Sequence, residues 1–182
     1  LNWNLPGALI LGASVSGDGH MVMGCQDNGT FLYGNNENYW NQSAGMFGDG
    51  GFAKIDAGNS QKGYSTFVGA PQAYTIYRID GYNTIPITPP GAIGLEDSLF
   101  YPPLFVKPEQ ANRVIVGFNN IWRSVDSGGT WTQIGAISPE YPGWPGYYMY
   151  LVSAIAEAPS DTQVIYAAND AGLSVTSDAG SG

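Results

Sequence analysis

The sequence is poor in charged side chains, above all in basic ones. Only 12% of its 182 residues are charged, and six Lys and Arg face fifteen Asp and Glu, for a formal net charge of −9 at pH 7. A surface with this excess of negative charge repels phosphate backbones, so nucleic acid is not an expected partner. No apolar run approaches the ~18 residues that a bilayer span needs, so membrane insertion is not expected either.

Cysteine and histidine are each present once. The single Cys25 excludes a disulfide within the chain, and its apolar neighbours predict a buried structural thiol. His20 follows a Ser-Gly-Asp-Gly run with no second metal-ligating His or Cys close by, which predicts a solvent-facing turn residue. The chain begins at Leu1 without a methionine or a signal peptide, as expected of a processed or excised piece.

Glycine, proline and aromatic residues are abundant. The chain has 26 Gly, 12 Pro and 13% aromatic residues, a composition typical of turn-dense all-β proteins. Short β-branched or aromatic runs bounded by turn residues predict strands, for example at residues 75–79, 114–118 and 164–168. Residues 150–159 have a helical appearance, but they align with the first strand of a repeat and are predicted as a buried strand. The fold class is therefore all-β.

The chain contains four copies of one unit. Residues 107–135 and 158–182 each contain a polar turn, a strand, an Asn-rich turn, a second strand and an Asp-Gly turn, and looser copies start at Ser14 and Lys54. The copies recur about every 45–50 residues, the spacing of four-stranded propeller blades. We therefore predict one β-propeller domain over residues 1–182, with repeats at approximately 8–45, 46–90, 91–138 and 139–182 plus a strand at 1–7.

The two ends of the sequence complement each other. The fourth copy stops at "SDAGSG" without an outer strand, whereas Trp3 and Leu5 near the start resemble Trp131 and Ile134 of the third copy. The amino-terminal strand is predicted to complete the last blade, in its own molecule or in a neighbour, because closure removes exposed sheet edges. Four arrangements remain open: a four-blade segment of a larger ring, a single closed four-blade chain, an eight-blade ring of two copies, and a filament joined by strand exchange.

The stretch "SVDSGGTW" at residues 124–131 fits the pattern Ser-x-Asp-x-Gly-x-Thr-Trp. The Asp126 carboxylate is expected to accept hydrogen bonds from the tight loop that follows, Gly128 or Gly129 to adopt a positive φ, and Trp131 to pack between sheets. The predicted role is structural. The residues assigned to it are Ser124, Asp126, Gly128, Thr130 and Trp131 in the third copy, and Thr176, Asp178 and Gly180 in the fourth.

With these boxes and the strings "GCQDNGTFLY" (24–33) and "GDGGFAKID" (48–56), the sequence resembles the Asp-box, or bacterial neuraminidase repeat, β-propellers. It is most similar to their secreted sortilin-like and xyloglucan-cleaving branch. The resemblance covers nearly the whole chain as repeats, although the second copy, "YRIDGYNTIP", lacks the Ser, Thr and Trp of the box. It implies a secreted or cell-surface location.

The resemblance implies no transferable catalytic residue. Sialidases of this group use three clustered arginines, but Arg113 is expected in a turn at the blade edge and Arg123 in a strand, so they and Arg78 do not converge. Xyloglucan-cleaving relatives place two carboxylates across a cleft between two propellers. The adjacent Glu96 and Asp97 point in opposite directions on an extended chain, which argues against a catalytic pair.

The clearest candidate binding surface is aromatic. The segment "PEYPGWPGYYMY" (139–150) can approach Phe100 and Tyr101 across a blade face, and exposed rings stack on sugars. Packing or subunit contact is the alternative role. The candidate ligand-binding residues are Tyr141, Trp144, Tyr147, Tyr148 and Tyr101.

Asp27 and Asp49 lie in Gly-rich turns and are weak candidates for a calcium site, although a carboxylate that caps its own loop is the favoured interpretation. No other cofactor is expected. The sequence thus predicts an extracellular binding or structural interaction module with a polysaccharide or protein partner. Two alternatives are part of a xyloglucanase-like glycoside hydrolase and a subunit of an extracellular assembly whose terminal strands self-associate.

Overall fold

A computed structural model describes residues 7–34, 40–42, 47–56, 58–69, 72–81, 83–93, 96, 98–107, 110–136 and 151–179. These residues form fifteen β-strands and no helix. Accordingly, this part of the chain contains no helix long and apolar enough to cross a membrane.

The strands form four separate antiparallel sheets in which chain neighbours pair. The first sheet contains β1 (Leu9–Val15), β2 (Met21–Gln26), β3 (Gly29–Tyr33) and β4 (Asn41–Gln42), and the second contains β5 (Asp49–Asp56), β6 (Asn59–Gly69), β7 (Gln72–Asp80) and β8 (Asn83–Pro86). The third contains β9 (Leu104–Val106), β10 (Val114–Gly117), β11 (Asn120–Ser124) and β12 (Thr132–Ala136), and the fourth β13 (Ala154–Ala158), β14 (Asp161–Asn169) and β15 (Gly172–Thr176). Three successive four-stranded meanders and a three-stranded one are propeller blades, so the all-β, four-blade prediction is confirmed.

The predicted strands form where β-branched residues alternate between two packed faces. The runs at 75–79, 114–118 and 164–168 lie on β7, β10 and β14. Residues 150–159 contain β13, so the strand prediction is confirmed, but the predicted burial is wrong. Ala154 and Ala156 are exposed, because the fourth sheet packs against another sheet on one face only. The predicted strand at 1–7 lies outside the described residues except for Gly7.

Each sheet packs face to face on the next one along the chain. Three buried clusters fill the three interfaces between consecutive sheets. Side chains that alternate along β10 contribute to two of these interfaces. Val114 and Val116 face the second sheet, and Ile115 faces the fourth. Val22 and Ile79 close the interface between the first two sheets. The core is therefore a stack of layers between blades.

The first two sheets approach each other backbone to backbone. A β-carbon built on Gly24 of β2 would lie 2.1 Å from the Gly51 carbonyl oxygen of β5. One built on Gly50 would lie 2.3 Å from the Gly29 carbonyl oxygen. Only glycine fits such positions, because the atom in the way is the backbone of a strand in the neighbouring sheet.

A buried ion cluster joins the third and fourth sheets. The Glu157 side chain on β13 is 0% exposed and lies 2.8 Å from the Lys107 ammonium, and it also pairs with the Arg113 guanidinium. Arg113 in turn donates to the Thr162 carbonyl at 3.0 Å. Arg113 does lie in a turn, as predicted, but it is buried rather than at a blade edge, because Glu157 supplies the compensating charge.

Cys25 is fully buried, as predicted, and burial raises the pKa of its thiol. His20 lies at the β1–β2 turn, as predicted, but its side chain is only 19% exposed and therefore faces solvent only in part. Its Nδ1 lies 3.1 Å from an Asp18 oxygen, and its Nε2 shares a hydrogen bond with Gln61 of the second sheet. His20 thus ties the β1–β2 turn to the neighbouring blade.

Candidate functional site

The four sheets present two ends with different chemistry. At one end, which we call the Asp49 end, β1, β5 and β9 begin and the β2–β3 turn carries Asp27. The opposite end, which we call the Asp126 end, contains the β1–β2 turn, the β11–β12 turn and the loop between β9 and β10. The last two are in contact there, because the Ser127 amide donates to the Asn112 carbonyl at 2.9 Å. The elements that carry candidate residues therefore fall into two separate groups.

At the Asp126 end, the carboxylate of Asp126 is bonded within its own loop. It accepts hydrogen bonds from the Thr130 amide and hydroxyl, both at 2.8 Å, and from the Ser124 hydroxyl at 2.8 Å. The Ser124 hydroxyl oxygen in turn accepts from the Gly128 amide at 2.7 Å. These bonds, those from Thr130 first, lower the pKa of Asp126 to about 2.

The backbone of this loop passes through the left-handed region twice, with φ of 62° at Ser127 and 86° at Gly128. A β-carbon at Gly128 would lie 2.6 Å from the Ile87 side chain, so space as well as conformation requires glycine there. Trp131 is partly buried against the cluster between the second and third sheets.

The first residues of the same loop are present in the fourth sheet. The Thr176 hydroxyl donates to the Asp178 carboxylate, and Ala179 takes the left-handed φ, 51°, that Ser127 has in the third sheet. Gly180 lies outside the described residues.

Replacing Asp126 by asparagine is expected to change how stability depends on pH. The folded pKa of Asp126, about 2, lies below its ordinary value of 3.8, so the unfolded chain binds more protons between these values. The stability that Asp126 contributes is therefore present above pH 4 and is lost as the pH falls toward 2. Urea midpoints measured from pH 2 to 5 should fall less steeply in D126N than in the parent chain, and Thr130→Val should give an intermediate slope. Equal slopes in all three proteins would contradict this role.

At the Asp49 end, two acidic turns meet across the first and second sheets. The Asp27 amide, in a residue with φ of 62°, donates to Asp49 Oδ1 at 2.8 Å. The same turn is held by Gln42, whose side-chain amide donates to the Asn28 carbonyl at 2.7 Å. Asp49 thus caps the turn of the preceding blade, whereas the sequence favoured each carboxylate capping its own loop.

Aromatic side chains stand next to this pair of turns. The Tyr101 ring lies on the Gly51 backbone, where an added β-carbon would be 2.3 Å from the ring. Phe100 contacts Tyr101 edge to face, with ring centroids 4.8 Å apart. Burial first, and then the charges of Asp49 and Asp27, raise the pKa of Tyr101. The Tyr101 hydroxyl thus lies in the field of both carboxylates.

Two phenylalanines at this end are exposed to solvent. Phe47, two residues before Asp49, is 73% exposed, and Phe100 is 51% exposed. Of the candidate ligand-binding residues, the structure describes Tyr101 alone; Tyr141, Trp144, Tyr147 and Tyr148 lie outside the described residues. The described residues contain no group of three or more His, Cys, Asp or Glu that could hold a metal ion.

Glu96 has a structural role that the sequence did not reveal. Its carboxylate accepts hydrogen bonds from the Asn120 amide and side chain, both at 2.7 Å, and from the Trp122 indole at 3.0 Å. The acid therefore holds the β10–β11 turn and its flanking strand. Its partners lie more than twenty positions along the chain, so no local pattern predicts them. Asp97 lies outside the described residues.

The Asp126 end also contains a polar cavity of about 510 Å³. The sequence did not predict it, because residues from three different sheets line it and no local pattern brings them together. Asp18 at its rim accepts hydrogen bonds from the hydroxyls of Ser16 and Ser60, the latter at 2.6 Å. These bonds, that of Ser16 first, hold the pKa of Asp18 well below its usual range. Asp56, also in the lining, accepts from Tyr64 at 2.8 Å and from the Gly58 amide at 2.9 Å, so the cavity's carboxylates already have partners.

The arginines have separate partners. Arg78 pairs with Asp80 and donates to the Ser127 carbonyl at 3.1 Å, whereas Arg113 is held by Glu157. Burial, and then repulsion by Arg113, lowers the pKa of Arg123. Arg78 and Arg113 thus pair with different acids, but Arg123 lies in the field of both Arg113 and Glu157, so two of the three arginines are neighbours.

No family model and no curated protein matches this sequence. Among solved structures it is similar to an ancestral GH74 enzyme, with a TM-score of 0.70, 12% identity, and coverage of 95% of this chain and 23% of that one. It is also similar to the GH74 enzyme of Niastella koreensis (TM-score 0.64, 16% identity, coverage 88% and 27%) and to the GH74 xyloglucanase from Xanthomonas campestris (0.61, 14%, 96% and 30%). This chain thus spans less than a third of the length of these proteins. At such identities the likeness concerns the fold, and the fold of this chain is a β-propeller.

Proposed function

We propose that this chain is an extracellular β-propeller module of the Asp-box type that binds neutral polysaccharide at its Asp49 end and does not cleave it unaided. The observation that carries the proposal is the pair of exposed rings, Phe47 and Phe100, beside the Asp27–Asp49 contact. Flat rings that stand free of the core give sugar faces a surface to stack on, and nearby acceptors orient the sugar hydroxyls.

The charge of the chain supports a neutral rather than an acidic polymer. A protein with a net charge of −9, and with carboxylates at the proposed site, repels uronate or sulfate groups. The structural likeness to a GH74 xyloglucanase makes xyloglucan the first polymer to test. The Asp-box character is supported by the Asp126 carboxylate, whose hydrogen bonds to Ser124 and Thr130 stay within its own turn.

Asp49 has a structural role at this end, which favours binding over catalysis. Its Oδ1 accepts a hydrogen bond from the Asp27 amide, and this bond fixes the carboxylate against the turn of the neighbouring blade. A hydrolase also needs a second carboxylate facing the first across the sugar. The module would therefore hold the polymer for a catalytic partner or for attachment.

The test is affinity electrophoresis in gels that contain xyloglucan, another neutral glucan or polygalacturonate. Xyloglucan should retard the chain and polygalacturonate should not. Phe47→Ala and Phe100→Ala should each weaken the dissociation constant about tenfold, because each removes one stacking surface worth roughly 1.4 kcal/mol. Val125→Ala is the matched control, since Val125 is 63% exposed at the Asp126 end. Equal loss in the control, or no retardation by any neutral glucan, would overturn the proposal.

A further inference from the structure

The fourth sheet carries an apolar face that no described residue covers. On β14 and β15, Tyr166 pairs with Val175 and Ala168 pairs with Leu173, so these four side chains share one face. Leu173 is 70% exposed and Val175 is 62% exposed. The opposite face of the sheet, with Ile165, is packed against the third sheet. In the first three sheets, the corresponding face is the one that packs on the next blade.

The first sheet carries the complementary kind of face. Val15 pairs with Met21 on the side away from the second sheet, whereas Val22 points toward the second sheet and is buried there. On this side Val15 is 65% exposed and Ile10 is 47% exposed, whereas Met23 and Cys25 are buried, so the exposed part of the face lies along β1. An apolar cavity of about 340 Å³ opens on this outward side, and Val15, Met21, Ala13 and Trp40 are among the residues that line it.

These two faces do not cover each other within one molecule. Buried clusters join the first sheet to the second, the second to the third and the third to the fourth, and none among the described residues joins the fourth to the first. Among the described residues, the four sheets therefore form an open arc with one partly exposed apolar face at each end. Apolar sheet faces of this kind, exposed in water, mark interaction surfaces.

The chain itself shows what fits each end. In each of the three internal interfaces, the face of one sheet that points toward the next sheet along the chain packs on the face of that next sheet that points back. The fourth sheet leaves a face of the first kind uncovered, and the first sheet leaves a face of the second kind uncovered. None of the side chains named on either face is charged, so joining the two faces buries no unpaired charge. A second copy supplies both missing partners at once, and two arcs joined twice leave no open face.

We propose that two copies of this chain join head to tail, the fourth sheet of each packing on the first sheet of the other, to give a closed ring of eight sheets. The contact is between sheet faces and does not depend on exchange of a terminal strand. It is independent of the polysaccharide site, which lies at one end of the sheets rather than on their outer faces.

The solution mass of the chain tests this directly. Sedimentation equilibrium at protein concentrations from about 1 to 100 μM, the range in which micromolar association shows, should approach twice the 19.3 kDa of one chain. A monomer at every concentration would overturn the proposal, because the two faces would then not be joined by a second copy. Masses that keep growing with concentration would also overturn it, because they indicate a filament rather than a closed pair.

Face variants identify the surface. Leu173→Lys on the fourth sheet and Val15→Glu on the first should each weaken self-association at least a hundredfold, because each buries an unpaired charge in both contacts. Val125→Glu is the control, since Val125 is equally exposed but lies in the β11–β12 turn, and it should associate as the parent does. The circular dichroism spectra of all three variants should match that of the parent chain. A match shows that lost association does not come from a folding defect.

Mixing the two face variants gives the sharpest test. In a pair made of one L173K and one V15E chain, one contact is fully native and the other brings the new lysine next to the new glutamate. Equimolar mixing should therefore restore dimers that neither variant forms alone. If the mixture stays monomeric while the parent is a dimer, these faces do not form the interface.

Discussion

Replacing Gly24 by alanine is expected to destabilise the folded chain by about 3 kcal/mol, at the upper end of the usual cost of an added methyl group in a packed core. The new β-carbon would lie 2.1 Å from the Gly51 carbonyl oxygen. Gly24 is paired on both sides, and Gly51 lies in the irregularity of β5 between the paired Gly50 and Ala53, so relieving the clash means displacing paired strands. Urea denaturation followed by tryptophan fluorescence measures the loss.

Gly17→Ala is the matched control for this substitution. A β-carbon on Gly17 meets no atom within 4 Å, and its φ is not in the left-handed region. Alanine there should leave the free energy of unfolding unchanged or raise it by up to about 1 kcal/mol, because it restricts the unfolded chain. If G24A and G17A had similar stabilities, the close approach of the first two sheets would be wrong.

The second large effect is expected at Glu157. Glutamine keeps the shape of the side chain but removes its charge, leaving Lys107 and Arg113 buried with no counter-ion. Losing one member of a buried ion cluster costs about 3–5 kcal/mol, because the remaining charges stay desolvated without compensation. E157Q should therefore shift the urea midpoint strongly at neutral pH and should loosen the packing between the third and fourth sheets.

Asp80→Asn provides the control, because it breaks an ion pair of similar geometry in a solvated place. Asp80 lies 3.1 Å from Arg78, and its side chain is 37% exposed. An exposed pair of this kind contributes less than about 1 kcal/mol. A D80N effect as large as that of E157Q would mean that burial is not what makes the Glu157 cluster sensitive to the loss of one charge.

The repeats and the strands could be predicted from the sequence because their signals are local. A turn such as that of Asp126 is determined by residues within a few positions of it, and its hydrogen bonds run from Ser124 to Thr130. The alternation of side chains between the two faces of a strand is likewise visible in short stretches such as Val114–Gly117. Four similar units then imply blades, because a single four-stranded sheet cannot bury its own faces.

The contacts between blades could not be predicted in the same way. Asp27 and Asp49 are 22 positions apart, and only the packing of two sheets brings the amide of one to the carboxylate of the other. Glu157 and Arg113 meet across a still longer separation, so Arg113 looked like an exposed turn residue. Which faces stay uncovered also depends on how the sheets stack, which no single repeat encodes.

Binding and cleavage measured together on one polymer test the proposed function as a whole. The chain is incubated with soluble xyloglucan, and the protein retained by the polymer and the reducing ends released from it are measured in the same sample. We expect retention that is reduced in F100A and kept in V125A, with no new reducing ends. Absence of retention, or release of reducing ends by the chain alone, would contradict a module that binds the polymer without cleaving it.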